Sequence, residues 1–195
     1  MTLLTDDRRA ETSAPLHDLL ADRWSPRSFD PAYEADEETV AALLEAARWA
    51  PSAANLQARR FVVARRGSEA FQAITDSLAE GNRPWAVDAS LLVVTIALTT
   101  SPEGKPFRWA DYDAGQAIAH LTVQAHALGL HVHQMGGFDP EALALAFDLP
   151  DEAVPVTVTA IGRAASADRL PERYRDRESA PRTRLPLSEL VLVRD

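Results

Sequence analysis

The run SLLVVTIAL, residues 90–98, limits what this chain can fold into more than any other stretch. It carries no charge, and apolar side chains stand at odd and even positions alike. A strand built from it therefore buries both faces and needs a packed layer on each side. The rest of the chain offers helices for those layers. Asp36 is an N-cap ahead of Glu37 and Glu38, which suit the positive end of a helix dipole. Val40, Leu43, Leu44 and Ala47 then form an apolar face, and the helix stops near Pro51. In SEAFQAITDSLAEG, Ser68 caps a helix carrying Phe71, Ile74 and Leu78, with Gly81 as its stop. DAGQAIAHLTVQAHALG is the expected central helix, with Ile118, Leu121, Ala125 and Leu128 on one face and Gly129 at its end. Asp111 and Asp113 read as its N-terminal caps.

Shorter elements complete the pattern. Leu16, Leu19 and Leu20 suggest a brief helix, and Asp139 with Pro140 opens another. RRFVVARRG reads as a short strand bracketed by arginines, and VPVTVTAIG alternates as a strand should. The tail PRTRLPLSELVLVRD is expected to be extended, with an apolar end. The order predicts a mixed α and β fold in which helices cover both faces of a small sheet.

A length of 195 residues with 46% hydrophobic content suits one domain, residues 15–195, behind a flexible terminus at 1–14. The sequence has no apolar run of about 18 residues. Its opening lacks the basic and apolar regions of a secretory signal, so the expected address is the cytoplasm, without membrane insertion. Zero cysteines exclude disulfides, thiolate metal sites, iron-sulfur clusters and cysteine nucleophiles together. A formal charge of −9 repels nucleic acid and anionic lipid, so neither is an expected partner. An anionic ligand would have to be held by a local cluster of arginines.

Such a cluster is available. In an extended RWSPR segment Arg23, Ser25 and Arg27 share a face, and two guanidiniums with a hydroxyl suit a phosphate and a second electron-rich group; a solvated basic turn is the plainer reading. PSAANLQ, residues 51–57, sets small side chains beside Ser52 and Asn55, letting a flat ligand approach the backbone, or it is an ordinary helix stop. QMGGFD pairs Gly136 and Gly137 ahead of a helix N-terminus, where backbone N–H groups can face a ligand, or it is a turn. His126, His131 and His133 lie close in sequence, but no acid stands at a matching spacing, and they read as structural rather than metal-binding. No Ser-His-Asp order and no Walker-type loop is present.

Taken in order, RWSPRSF, APSAANLQ, EGNRPWAVDASLLVVTIA, ALGLHVHQMGGFD, VPVTVTAIG and RTRLPLSELV resemble the FMN-dependent nitroreductase family over about residues 16–193. The resemblance implies an α+β, three-layer α-β-α sandwich with a small, mostly antiparallel central sheet, and a C-terminal tail exchanged within a homodimer. It implies bound FMN, with NADH or NADPH as electron donor. Hydride would pass by ping-pong through flavin N5 to a nitroaromatic, a quinone or a similar electron-poor small molecule. Flavin contacts would come from Arg23, Trp24, Ser25 and Arg27, with Arg23, Arg182 and Arg184 on the phosphate and Arg27 at the pyrimidine edge. Asn82 would bond the ring or ribityl chain, and the Met135-Gly136-Gly137 loop would face N5. Pro51, Ser52, Ala53 and Asn55 would be supplied by the other subunit. Arg27 and Gly136 would tune the flavin, and no further catalytic side chain is implied.

Two departures stand out. Gln57-Ala58-Arg59 replaces the family's common Gln-Pro-Trp, and Trp85 stands where many members carry a basic side chain, offering a stacking surface instead. The alternatives are a flavin-binding or storage protein without turnover, and a flavoenzyme of the same fold with another reaction, such as enal reduction, dehalogenation or flavin-consuming chemistry.

Overall fold

The computed structural model describes residues 8–194. Four strands, β1 (Arg59–Arg65), β2 (Leu91–Leu98), β3 (His131–Met135) and β4 (Ala153–Gly162), form one sheet in the order β1-β2-β4-β3. Every pairing is antiparallel, and one row across the sheet reads Val62, Val94, Val158, Met135. The two central strands carry the burial demanded by their composition. Leu92, Val94 and Ile96 of β2 face one side, and Leu91 and Val93 the other, all at most 2% exposed.

Two helical layers meet those faces. On one side lie α2 (Glu37–Arg48) and α5 (Ala110–Ala127), through Val40, Leu43, Ala47, Ile118, Leu121 and Ala125. On the other lie α3 (Glu69–Ser77), α4 (Arg83–Ala86), α6 (Pro140–Ala146) and α7 (Glu172–Ser179), through Phe71, Ile74, Trp85, Leu143 and Tyr174. One-turn helices α1 (Asp18–Ala21) and α8 (Leu187–Leu190) flank this body. The result is the expected α+β three-layer sandwich with a small antiparallel sheet.

The caps work as their chemistry requires. Asp36, Ser68 and Asp139 each accept hydrogen bonds from first-turn amides of α2, α3 and α6. Gly129 takes φ 73° just beyond α5, where a side chain would be strained.

Several expectations need correction. The brief helix expected near residue 20 is present as α1, but it is a single turn that starts at Asp18, so Leu16 lies before it. Leu128 is the exposed C-cap of α5 rather than part of its apolar stripe. α3 ends at Ser77 and not at Gly81, because Leu78 turns extended and bridges Phe138; a separate helix, α4, starts at Arg83. The tail is not extended throughout, since α8 interrupts it. Asp113 does not cap α5. It is fully buried and accepts from the Ala53 amide with both oxygens, at 3.2 and 3.1 Å.

Of the segment 1–14, expected to be flexible, residues 1–7 lie outside the described residues. In the remainder the Ala10 amide donates to the Ala21 carbonyl at 2.9 Å, and Arg9 pairs with Asp18 and Asp22. Among the described residues no helix is long and apolar enough to cross a membrane.

Leu121 is 0% exposed and joins α5 to α2 and the sheet. Leu121→Ala should lower stability by about 2–5 kcal/mol through lost transfer energy and the cavity left behind, read as a reduced urea midpoint. A shift under about 1 kcal/mol would contradict this packing.

Candidate functional site

Residues 22–29 run beside edge strand β3. They are fixed by Ala165 donating to the Ser28 carbonyl and Asp30 donating to the Arg163 carbonyl, both at 2.9 Å, and by the His133 ring at 2.9 Å from the Pro26 carbonyl through Nδ1. The segment has the period of two expected of extended chain. Trp24, Pro26 and Ser28 are buried, while Arg23, Ser25 and Arg27 alternate outward. The two arginines and the serine therefore share a face. Trp24 points the other way: its ring meets His131 edge-on at 5.8 Å and lies 4.3 Å beneath the Arg8 guanidinium. Its side chain is a packing element.

The arginines of the tail come to the same place. Arg182 donates to the carbonyls of Arg8 and Ala21, both at 2.6 Å, which pins the tail against the start of the chain. Arg23, Arg182 and Arg184 line a groove of about 530 Å³ with Leu16, Leu20 and Leu187. Arg23 bonds the Ser25 hydroxyl at 3.3 Å. Burial first, and then the Arg184 charge, hold Arg23 below the ordinary arginine range. Burial, followed by Arg23, Arg184 and Arg8, does the same to Arg182, and the charge of Asp22 opposes this. Three guanidiniums gathered along one groove have the chemistry to hold an anion.

Arg27 has a partner that the sequence did not disclose. Glu178, 4% exposed, accepts from the Arg27 amide with both oxygens at 3.0 Å and from the Ser28 amide at 3.1 Å, and lies 4.0 Å from the Arg27 guanidinium. Its helix reads ERYRDRES, where an inward acid looks like its solvated neighbours. The spacing of Tyr174 and Glu178, one turn apart and both buried, was the available signal.

Beyond β3, Asn82 and the glycine pair meet. The Asn82 amide donates to the Gly137 carbonyl at 3.0 Å, and Ala79 donates to the same oxygen at 3.0 Å. A Cβ on Gly137 would stand 2.9 Å from Asn82 Nδ2, whereas one on Gly136 would meet nothing within 4 Å. A side chain at Gly137 would displace the Asn82 side-chain amide, whereas Gly136 leaves the backbone open. The first turn of α6 does not offer free amides there, because Asp139 accepts from Glu141 and Ala142. Met135 is 3% exposed in the core. Trp85 does not offer a stacking surface: it is 1% exposed between Phe29 and His133, and its Nε1 donates to the Gly81 carbonyl at 3.0 Å.

Pro51, Ser52, Ala53 and Asn55 lie elsewhere, in the turn leading to the opposite edge strand β1. Three strand spacings separate β1 from β3, about 14 Å. Within one chain the structure therefore groups Arg23, Ser25, Arg182 and Arg184, sets Arg27 beside them in sequence, and joins Asn82 to Gly137. Among the described residues no hydrogen bond joins residues 51–55 to those groups.

The family model described as Nitroreductase family matches residues 20–98 and 77–163. A crystal structure described as an oxidoreductase containing FMN superposes with a TM-score of 0.89 at 38% identity, covering 98% of this chain and 96% of that one. An uncharacterised 15.4 kDa protein of Mycolicibacterium smegmatis is 38% identical over 69% of this chain and 95% of its own length. A Streptomyces coelicolor protein provisionally named an NADH dehydrogenase or NAD(P)H nitroreductase is 29% identical over 70% of this chain and 78% of its own.

The histidines behind the arginines yield a pH prediction. Burial first, then nearby positive charge from His126 and Arg23, pushes His131 down to about 4; burial chiefly, with Arg27, pushes His133 down to about 4. As pH falls through 6.5 the unfolded chain takes up these protons before the folded one. Stability from these rings is therefore complete above about pH 6.5 and lost towards about pH 4, by up to about 3 kcal/mol for each. Urea midpoints across that window should fall more steeply for the native chain than for His131→Gln with His133→Gln; equal slopes would show that these rings do not titrate with folding.

Proposed function

The chain belongs to the nitroreductase family, and from that premise we propose that it is an FMN-dependent NAD(P)H oxidoreductase serving a nitroaromatic, quinone or similar electron-poor acceptor. The observation that carries the reading is the convergence of Arg23, Arg182 and Arg184 in a chain of net charge −9, with no carboxylate of the described residues among the groups acting on Arg23. A terminal phosphate supplies the missing counter-charge and accepts hydrogen bonds from several guanidiniums at once.

When bound, FMN supplies the hydride chemistry, taking reducing equivalents from NADH or NADPH at N5 and giving them up to the acceptor. The protein's own groups bind and bias. Arg23, Arg182 and Arg184 would hold the phosphate, and Ser25 would add a hydroxyl beside Arg23. Arg27 would stabilise negative charge at the pyrimidine edge, and its backbone is fixed for that task by Glu178. Asn82 and the open backbone at Gly136 would meet the ring, held in register by the bond from Asn82 to Gly137. Trp24 and Met135 would act from behind, as packing that sets those elements.

The remaining contacts, Pro51, Ser52, Ala53 and Asn55, would come from a second copy of the chain. Their place at the opposite sheet edge supports a composite site over one closed within a single chain. The tail supports a dimer too: Leu185, Leu187, Leu190, Leu192 and Val193 are 52–95% exposed, an apolar strip that water disfavours and a partner subunit would cover.

Purified protein should be yellow with about one FMN per chain, and NADH or NADPH should bleach it anaerobically. Each charged hydrogen bond is worth about 1.5–3 kcal/mol, so Arg23→Ala with Arg184→Ala should weaken FMN binding by about two to four powers of ten. A wild-type protein that ignores added FMN would defeat the proposal. Arg27→Gln should lower the flavin's reduction potential while changing occupancy less, as measured by redox titration.

Sharing of the site has its own test. Differently tagged chains, one carrying Arg23→Ala with Arg184→Ala and the other Ser52→Trp with Asn55→Ala, would be co-expressed. The heterodimer should recover about one FMN, because one of its sites receives both lesions and the other none. A verified heterodimer without flavin would place the site within a single chain.

A further inference from the structure

The turn between α2 and β1 is held in a conformation that its residues do not prefer. Ala54, Asn55 and Gln57 have φ of 51°, 55° and 51°, and none of them is glycine. Left-handed backbone at non-glycine residues persists only where the surroundings over-determine it. Inside the turn the Ser52 carbonyl accepts from Asn55 at 3.0 Å and the Ser52 hydroxyl accepts from Gln57 at 3.2 Å. Two buried charged side chains grip it from outside. Arg59 donates through Nη2 to the carbonyls of Arg48 and Ala50 at 2.8 and 2.9 Å, and Asp113 accepts the Ala53 amide with both oxygens at 3.2 and 3.1 Å. The carbonyl just before Pro51 and the amide just after Ser52 are therefore both fixed.

Both groups are costly to keep where they are. Asp113 is 0% exposed and Arg59 6%, and Arg59 Nη1 is buried with no hydrogen-bond partner. Burial lowers the Arg59 pKa, and the charge of Asp113 opposes that effect. The local sequence is consistent with this arrangement. A proline at position 58 would push residue 57 towards extended backbone, whereas Ala58 permits the left-handed Gln57 that delivers the chain to Arg59.

We propose that Arg59 and Asp113 form a positioning pair that presets residues 51–55 for contact with the flavin of the partner subunit. This rests on the reading of those residues as the partner's flavin contacts. With either member removed, the turn would relax towards ordinary backbone, and Ser52 and Asn55 would have to be reordered each time flavin binds.

The test uses full-length wild type, Arg59→Met, Asp113→Ala and the double variant. Amide hydrogen exchange is followed in the flavin-free proteins, and FMN affinity by fluorescence titration. Each single variant should exchange faster across residues 52–57, Ala53 above all, with β2 and β4 unchanged, and should bind FMN about tenfold or more weakly. The double variant should lose less than the product of the singles, because both act on one turn. Arg59→Lys and Asp113→Asn should recover part of the affinity, and they carry the test in the same direction if the larger changes prevent folding.

Unchanged turn exchange overturns the proposal, as does a loosened turn that binds FMN normally. So does an affinity loss accompanied by faster exchange throughout β2 and β4. A wild type that does not bind FMN fails the functional reading itself; variants that bind it as wild type does fail only the positioning pair.

Discussion

Two-sided burial of β2 is the constraint on which the rest of this molecule depends. Because Leu91 and Val93 are taken up by α2 and α5, and Leu92, Val94 and Ile96 by the opposite helices, neither face of the sheet has room for a ligand. Polar chemistry is displaced to the edges and ends of the strands. The arginine segment accordingly lies beside edge strand β3, and the strained turn precedes edge strand β1. A four-stranded sheet too wide to bring these together gives the proposed dimer its physical reason. Each subunit can complete at its partner what its own sheet holds apart.

Electrostatics then decides which charges stay free. Arg59 is taken up by backbone carbonyls near Asp113, and the Arg27 backbone by Glu178, while Arg48 and Arg65 pair with Glu45 and Glu37. Arg182 also donates to backbone carbonyls, those of Arg8 and Ala21, but with Arg23 and Arg184 it forms a group that makes no salt bridge to a carboxylate among the described residues. Burial keeps His131 and His133 neutral behind them, so at neutral pH the local positive charge is carried by arginine alone. A binding site for an anion can thus exist in a strongly acidic protein without depending on its overall field.

Legibility in the sequence followed the strength of local rules. α2 could be read because its cap, dipole charges and apolar spacing agree over three turns, α5 because Ile118, Leu121 and Ala125 repeat at helical spacing up to a glycine stop, and β2 because nine uncharged residues in a row leave few alternatives. The common face of Arg23, Ser25 and Arg27 could be read because extended chain alternates. α7 could not be, since its charged sequence ERYRDRES hides the two residues that turn inward. The stacking surface expected of Trp85 is absent because its ring is core: indole carries a large apolar area, and burial with Nε1 bonded to Gly81 satisfies it. Asp113 departs from its expected capping role for a related reason. A first-turn acid suits the helix dipole from either side, and only the fold brings the Ala53 amide, 60 residues away, to its carboxylate.

Asp113 and Arg59 hold the same turn from two sides, through its Ala53 amide and its Ala50 carbonyl. An aromatic residue at position 59 would fill space and exclude water without a directional demand. An arginine there needs acceptors, and it finds them in the carbonyls of Arg48 and Ala50, where α2 has run out of amides to satisfy them. The charge that makes this possible also needs an opposing one, which Asp113 supplies while its oxygens are engaged by Ala53. Helix end, turn and central helix are therefore coupled through two ionised groups rather than through packing alone. Such coupling is sensitive to the loss of either group, since without Arg59 the carbonyls of Arg48 and Ala50 lose their donor, and without Asp113 the Ala53 amide loses its acceptor. A turn that must keep three residues in left-handed backbone has more use for directional bonds of this kind than for a larger apolar contact, because only the bonds specify where each amide and carbonyl must point.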